Sequence, residues 1–253
     1  MMGRIICCLL MGVLMGCSGT PKELSGYYFP LEELSSGKVY VYKSKGNGSF
    51  KKDYFYYHSS IDSAGRPHLH VIGLNRKGLP IQFLDYRMDL AEVRLVSMHL
   101  VETNRAGKKA IIPVKIEQPY VFNLAMEDTS KQLYAKLVWN NPFDSLEYSL
   151  EKVRTFKGFG QMEVLGEKRP ALYYDIATEF KSFTPKDGET DSAWPEQEVY
   201  GAGLGLAGYR MVPDPDEPLE MELIQVYDKE VYERLFHIHL DSLKPTLAGI
   251  RRR

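Results

Sequence analysis

Past residue 17 the chain has no cysteine: its three, Cys7, Cys8 and Cys17, all fall at the start. A protein that works in an oxidising compartment pairs its thiols or dispenses with them, and this sequence dispenses with them. A disulfide framework, a thiolate zinc site and a cysteine nucleophile are thereby excluded from the rest of the chain. Surplus charge is missing too. The net charge is −1 and the only concentrated basic run is Arg251-Arg252-Arg253, so nucleic acid, which demands clustered basic surface, is excluded as a partner. The N-terminal apolar run, Ile5–Met15, falls short of the ~20 residues that span a bilayer. No GxSxG, HExxH or P-loop motif occurs, and with them go the usual signatures of a serine hydrolase, a zinc protease and a nucleotide enzyme. No cofactor is implied, and the chain reads as a non-enzyme.

What is present begins at the N-terminus. Arg4 provides a positive start, Ile5–Met15 an apolar stretch, and Leu14-Met15-Gly16-Cys17 a small residue before a cysteine, the layout of a secretory signal peptide. The tetrapeptide resembles the bacterial lipobox. That resemblance implies cleavage between Gly16 and Cys17, diacylation of the Cys17 thiol and acylation of the new amine. Residues 1–16 are then a signal peptide, and 17–26 (CSGTPKELSG) a small, polar tether. Residues 27–253 form a single β-rich domain held at the bacterial cell envelope through Cys17. Ser18 in place of Asp at the second mature position implies the outer membrane where enterobacterial sorting rules apply.

The body alternates apolar and polar residues with a period of two, the mark of half-buried strands. Lys38–Lys43 (KVYVYK), Asp53–Ile61, His68–Leu74 and Pro80–Tyr86 are separated by Gly-, Asn- and Pro-rich turns. Val93–Val101 and Lys109–Ile116 flank Asn104-Arg105-Ala106-Gly107 as a long hairpin. Pro119–Leu124, Gln132–Trp139, Leu146–Phe156, Gln161–Leu165, Ala171–Phe180, Glu198–Met211 and Leu219–Tyr227 continue the series. Seventeen tyrosines and eleven phenylalanines favour strands. Thr184–Pro195 (TPKDGETDSAWP) reads as a long exposed loop. Only the C-terminal part is helical in pattern, with Asp228 as a cap and Val231, Leu235, Ile238 and Ser242 at helical spacing. The expected fold is mostly β: a large curved antiparallel sheet, open barrel or sandwich-like, with a C-terminal helix.

Four features invite a functional reading. His68-Leu69-His70 places two imidazoles on one face of a strand, where they can share a metal ion; two polar side chains turned to water account for the same letters. His237-Ile238-His239 falls in the helical segment, where its two rings diverge. Gly203-Leu-Gly205-Leu-Ala-Gly208 matches a dinucleotide fingerprint. Pro213-Asp214-Pro215 follows too soon for the helix that motif requires, so the glycines mark a bent strand or a close backbone approach. The aromatic strands place Tyr40, Tyr42, Phe55 and Tyr57 on one face, able to line an apolar ligand or to fill a core. The carboxylates Glu147, Glu151, Glu163, Asp175 and Glu179 lie among lysines and read as a solvated face.

Lys38–Lys43 followed by Tyr54–Tyr57, and the later Tyr200-Gly-Ala-Gly-Leu-Gly-Leu206, resemble the open-barrel envelope proteins of the periplasmic lipoprotein-carrier type. There a curved antiparallel sheet is closed partly by a helix. The resemblance implies a membrane-anchored, non-catalytic lipoprotein that binds an apolar ligand or an envelope partner. The alternatives are a metal-dependent enzyme using His68 and His70, or a structural assembly lipoprotein.

Overall fold

The alternating runs become thirteen strands in a computed structural model of the chain, which describes residues 23–45, 52–125, 130–184 and 188–243. In chain order they are β1 (Lys38–Ser44), β2 (Lys52–Ile61), β3 (Pro67–Leu74), β4 (Pro80–Met88), β5 (Glu92–Thr103), β6 (Lys109–Pro113) and β7 (Lys115–Asn123). β8 (Leu133–Asn140), β9 (Glu147–Val164), β10 (Glu167–Thr184), β11 (Gly188–Gly201), β12 (Gly205–Met211) and β13 (Leu219–Asp228) follow, and the helix α1 (Lys229–Phe236) comes last. Except for β6 and β7, consecutive strands pair antiparallel with each other, and β1 pairs with β13 from Lys38↔Asp228 to Ser44↔Met221.

The sheet is neither an open barrel nor a sandwich. β4 pairs with β5 from Gln82↔Leu100 to Met88↔Val93, and that ladder joins the two ends into a closed ring. β5 meets β6 at one half of its other edge (His99↔Pro113 to Thr103↔Lys109) and β7 at the other half (Glu92↔Asn123 to Arg94↔Tyr120). β6 and β7 therefore share one place in the wall, and the ring has twelve places. Closure removes the free edges that an open sheet must otherwise protect.

A barrel of eight strands is just wide enough for its own side chains to fill, and width grows with strand number. Twelve strands leave a space that strand side chains alone fill poorly, and the apolar side chains of residues 24–34 (Leu24, Tyr27, Tyr28, Phe29, Leu31 and Leu34) pack into it. Leu24, Tyr27 and Leu34 are at most 1% exposed. Tyr28 packs on Phe122 of β7 with ring centroids 4.9 Å apart, and Phe29 on Tyr57 of β2 at 4.5 Å. Two adjacent residues thus touch distant strands of the ring, so the segment crosses the interior. The Gly203 amide donates to the Gly26 carbonyl at 2.9 Å and the Ser59 hydroxyl to the Leu31 carbonyl at 2.5 Å, which fixes the segment at both sides.

α1 does not close the sheet. It lies outside, where Tyr232 and Leu240 pack on Val39, Tyr56, Ile72, Leu74 and Phe83 of β1–β4. The helix stops at Phe236, short of the expected Ser242, because His237 takes a left-handed conformation (φ 54°) that ends a helix in the manner of a C-cap. The expected loop Thr184–Pro195 is also a correction: β10 runs to Thr184, and β11 pairs with it from Thr184↔Gly188 onward. These residues are polar on both faces because this end of the hairpin is exposed on both, so period-two alternation disappears without the strand ending.

Candidate functional site

The four aromatic residues expected to line a ligand face come together inside the barrel. Tyr40, Tyr42 and Tyr57 are buried and Phe55 packs against them. Their rings contact one another and Phe29: Tyr40–Tyr57 at 4.9 Å, Tyr42–Phe55 at 5.7 Å and Phe29–Tyr40 at 6.1 Å. The hydroxyls have a structural task. β12 and β13 pair only from Gly208↔Glu222 to Met211↔Leu219 and then separate, which leaves carbonyls at the start of β12 without amide donors from β13. Tyr40 donates to the Leu204 carbonyl at 3.0 Å and Tyr42 to the Leu206 carbonyl at 2.8 Å. Phenylalanine supplies the same packing but not those bonds, which explains tyrosine at both positions.

The glycine fingerprint belongs to this seam. Gly203 (φ 67°) and Gly205 (φ 87°) turn β11 into β12, and a Cβ on Gly205 would lie 2.4 Å from the Phe29 ring. The close approach agrees with the sequence reading, but the expected single strand Glu198–Met211 is two strands that turn back on each other at residues 202–204.

Deeper in the interior is a polar centre that sequence reasoning missed. Arg154 of β9 forks onto Glu198 of β11 through Nε at 3.2 Å and Nη2 at 3.1 Å, and the Tyr200 hydroxyl donates to the same carboxylate at 2.9 Å. Beside it, Lys152 bonds Glu196 at 2.6 Å and the Trp194 indole N–H donates to Glu196 at 2.8 Å. Burial pushes the Glu198 carboxyl up, but the adjacent Arg154 guanidinium outweighs it and the group settles below its ordinary range. Burial lifts the Tyr28 and Tyr200 phenols far above theirs, and that of Tyr86 to about 12. Arg154 Nη1 is buried without a partner. The one local signal was that Arg154 and Glu198 share a strand face with Phe156 and Tyr200 two residues on, a pattern too common to stand out.

His68 and His70 lie on the outer face of β3, between β2 and β4. His68 Nδ1 is 2.8 Å and His70 Nδ1 3.4 Å from the same Asp85 oxygen, while His70 Nε2 is 2.7 Å from Ser60 Oγ. His68 Nε2 is 3.5 Å from Asp62. The two rings stack with centroids 5.9 Å apart; both Nδ1 atoms turn to one Asp85 oxygen, while the Nε2 atoms turn apart, to Asp62 and Ser60. Among the described residues no three His, Cys, Asp or Glu side chains are grouped to hold a metal ion. Ser60, His70 and Asp85 follow the order of a Ser–His–acid relay, but the carboxylate oxygen that would orient His70 is bonded more closely to His68.

The carboxylates read as a solvated face pair with lysines: Glu151 with Lys136 at 2.8 Å, Asp175 with Lys157 at 3.0 Å and Glu179 with Lys181 at 3.2 Å. A groove of about 1040 Å³ runs between the β9–β10 turn and β11–β13 and is lined by Met162, Val164, Gln197, Gly208, Glu222 and Ile224 among others. Cys17 lies outside the described residues.

No protein-family model matches the chain, and no curated protein matches it in sequence. Solved structures match it in shape. A candidate lipoprotein of Parabacteroides distasonis superposes with a TM-score of 0.52 at 12% identity, over 79% of this chain and 97% of that one. A candidate exported protein of Bacteroides fragilis, described as having a YmcC-like fold, superposes at 0.51 and 10% identity, over 79% and 98%. At these identities the likeness is one of architecture, and architecture does not fix function.

Proposed function

We propose that the protein is a non-catalytic lipoprotein of the bacterial cell envelope, anchored through Cys17, and that it acts by presenting its outer surface to an envelope partner. The reading is supported by the sequence before residue 18 and by the shared architecture of a lipoprotein and an exported protein. One observation carries the choice of partner over carrier: the barrel interior is occupied by the apolar side chains of the protein's own residues 24–34 and by ring-on-ring contacts among Tyr40, Tyr42, Phe55 and Tyr57. An apolar ligand would have to displace Phe29 and the hydroxyl bonds that hold the β12 seam. The outer wall carries ion pairs, the reverse of a membrane-spanning barrel with its apolar outer band.

Native mass spectrometry of the full chain purified from membranes tests this. The expected species is the protein bearing the mass of its Cys17 lipid and no second lipid. A stoichiometric lipid retained in a Cys17→Ala variant overturns the choice and reinstates a carrier.

A further inference from the structure

Following the chain around the barrel places at one end the connections 62–66 between β2 and β3, 89–91 between β4 and β5, 165–166 between β9 and β10, and 202–204 between β11 and β12, together with the end of β7 and the start of β8. Residues 24–36 enter at the same end. Gly203 of one connection holds Gly26, and Ser59, two residues before the end of β2, holds Leu31. Glu23 lies at this end, and five residues, 18–22, separate it from Cys17. That span of six Cα steps reaches roughly 20 Å at full extension. A lipid on Cys17 therefore keeps this end, and not the other, close to the bilayer.

The connections at this end carry apolar side chains into solvent. Leu90 is 106% exposed at the tip of its turn, and Ile61 is 73% exposed where β2 ends. Both are held by rigid local structure. The Asp89 amide donates to the Glu92 carbonyl at 2.9 Å, closing the turn under Leu90. Asp62 accepts from the Ala64 and Arg66 amides at 2.8 and 2.9 Å, closing the turn after Ile61. The acids beside these residues are matched by arginines: Asp62 by Arg66 at 2.8 Å, Asp89 by Arg87 and Arg94 at 3.2 Å each, and Glu92 by Arg94 at 2.9 Å. Pairing lowers the cost of bringing a carboxylate to a lipid surface whose headgroups are anionic. At the opposite end the exposed apolar side chains, Leu79 at 39% and Phe183 at 46%, are less exposed than Leu90 and Ile61, and they sit among charges. Asn75–Leu79 holds Arg76 and Lys77, Asn104–Lys108 holds Arg105 and Lys108, and Val212–Pro218 holds Asp214, Asp216 and Glu217.

From tether length, exposed tips and matched acids together, we infer that the end of the barrel bearing Ile61 and Leu90 is a membrane-contact surface, with both side chains inserted among the lipid headgroups and upper acyl chains. The inference rests on the anchoring of Cys17 proposed above. It fixes the orientation: the β2–β3 and β4–β5 turns face the bilayer, and the charged turns at 75–79, 104–108 and 212–218 face away from it.

The test uses the full chain, processed and lipidated, in vesicles of phosphatidylethanolamine and phosphatidylglycerol. With Cys17 acylated, an introduced cysteine takes a polarity-sensitive fluorophore alone. Leu90→Cys and Ile61→Cys report on the proposed surface and Arg105→Cys on the far end; all three positions are solvent-exposed, so folding, checked by circular dichroism, is retained. Acyl-brominated lipids are expected to quench the labels at 61 and 90 several-fold more than the label at 105. Equal quenching at 90 and 105 in protein that carries its diacylglycerol and floats with the vesicles overturns the orientation and leaves the anchor standing. Absence of the diacylglycerol from the intact mass removes the anchor, and the proposal falls with it.

Discussion

The barrel interior and the outer histidine patch on β2–β4 share acceptors in the same way and differ in exposure. Inside, Glu198 accepts from both the Arg154 fork and the Tyr200 hydroxyl, while Tyr40 and Tyr42 donate to the Leu204 and Leu206 carbonyls. Outside, one Asp85 oxygen serves both His68 and His70 at 2.8 and 3.4 Å. The difference in weight follows from desolvation. A buried group left unpaired costs about 1–3 kcal/mol, and more if charged, so breaking an interior pair costs more than breaking an outer one. Close grouping of titratable side chains is therefore a poor guide to importance in this protein, and burial of the paired groups is a better one.

That contrast can be broken by substitution, and the largest effect is expected at Arg154. Arg154→Ala strands a buried carboxylate, and we predict a loss of about 3–5 kcal/mol in denaturant unfolding. An Arg154→Met/Glu198→Gln double variant should recover much of it, and failure to recover would mean that the fork is not the reason for the loss. The same pair sets an acid limit. Because Glu198 titrates lower in the folded protein than in the unfolded chain, its contribution is complete above the ordinary glutamate value of about 4.3 and is lost as pH falls through the lower folded value. Melting temperature should decline on acidification through that window, less steeply in Glu198→Gln.

Next is Gly205→Ala, which places a side chain at positive φ and into the Phe29 ring. About 1–3 kcal/mol is expected, with easier proteolysis between residues 24 and 36. Tyr42→Phe retains the ring and removes one bond, so ~1 kcal/mol, read as a shift in denaturation midpoint, suffices to check its link to Leu206. The smallest effect is predicted for His68→Ala/His70→Ala: under about 0.5 kcal/mol, as for surface changes generally, with the metal content of the purified protein unchanged. A large loss there, or a metal that departs with the imidazoles, would invert the comparison.

The strands were legible because alternation reports directly on which residues face a half-buried wall; β1, β3 and β13 fall within a residue or so of their expected limits. Closure was not legible. An open sheet and a closed barrel alternate identically, and the deciding ladder between β4 and β5 looks like any other hairpin in the residues Pro80–Thr103. The exposed part of β11 escaped because Asp191, Ser192 and Ala193 face solvent whichever way they point. At the candidate sites, the close approach at the fingerprint glycines was legible from Pro213 and Pro215, whose effect is local, but the turn at 202–204 was not. The crossing of the interior by Tyr28 and Phe29 and the meeting of Arg154 with Glu198 were hidden, since both depend on contacts far apart along the chain.

Residues 24–36 lead from the interior toward Cys17, so any tension on that residue is delivered inside the barrel and not to its surface. The segment is fastened by the Gly203–Gly26 bond, the Ser59–Leu31 bond and the Phe29 ring beneath Gly205. They lie in order along the segment, at Gly26, Phe29 and Leu31, so a pull from Cys17 loads the Gly26 bond first, then the Phe29 ring, then the Leu31 bond. Tugging on such a tether draws the plug out step by step, as stitches part along a seam.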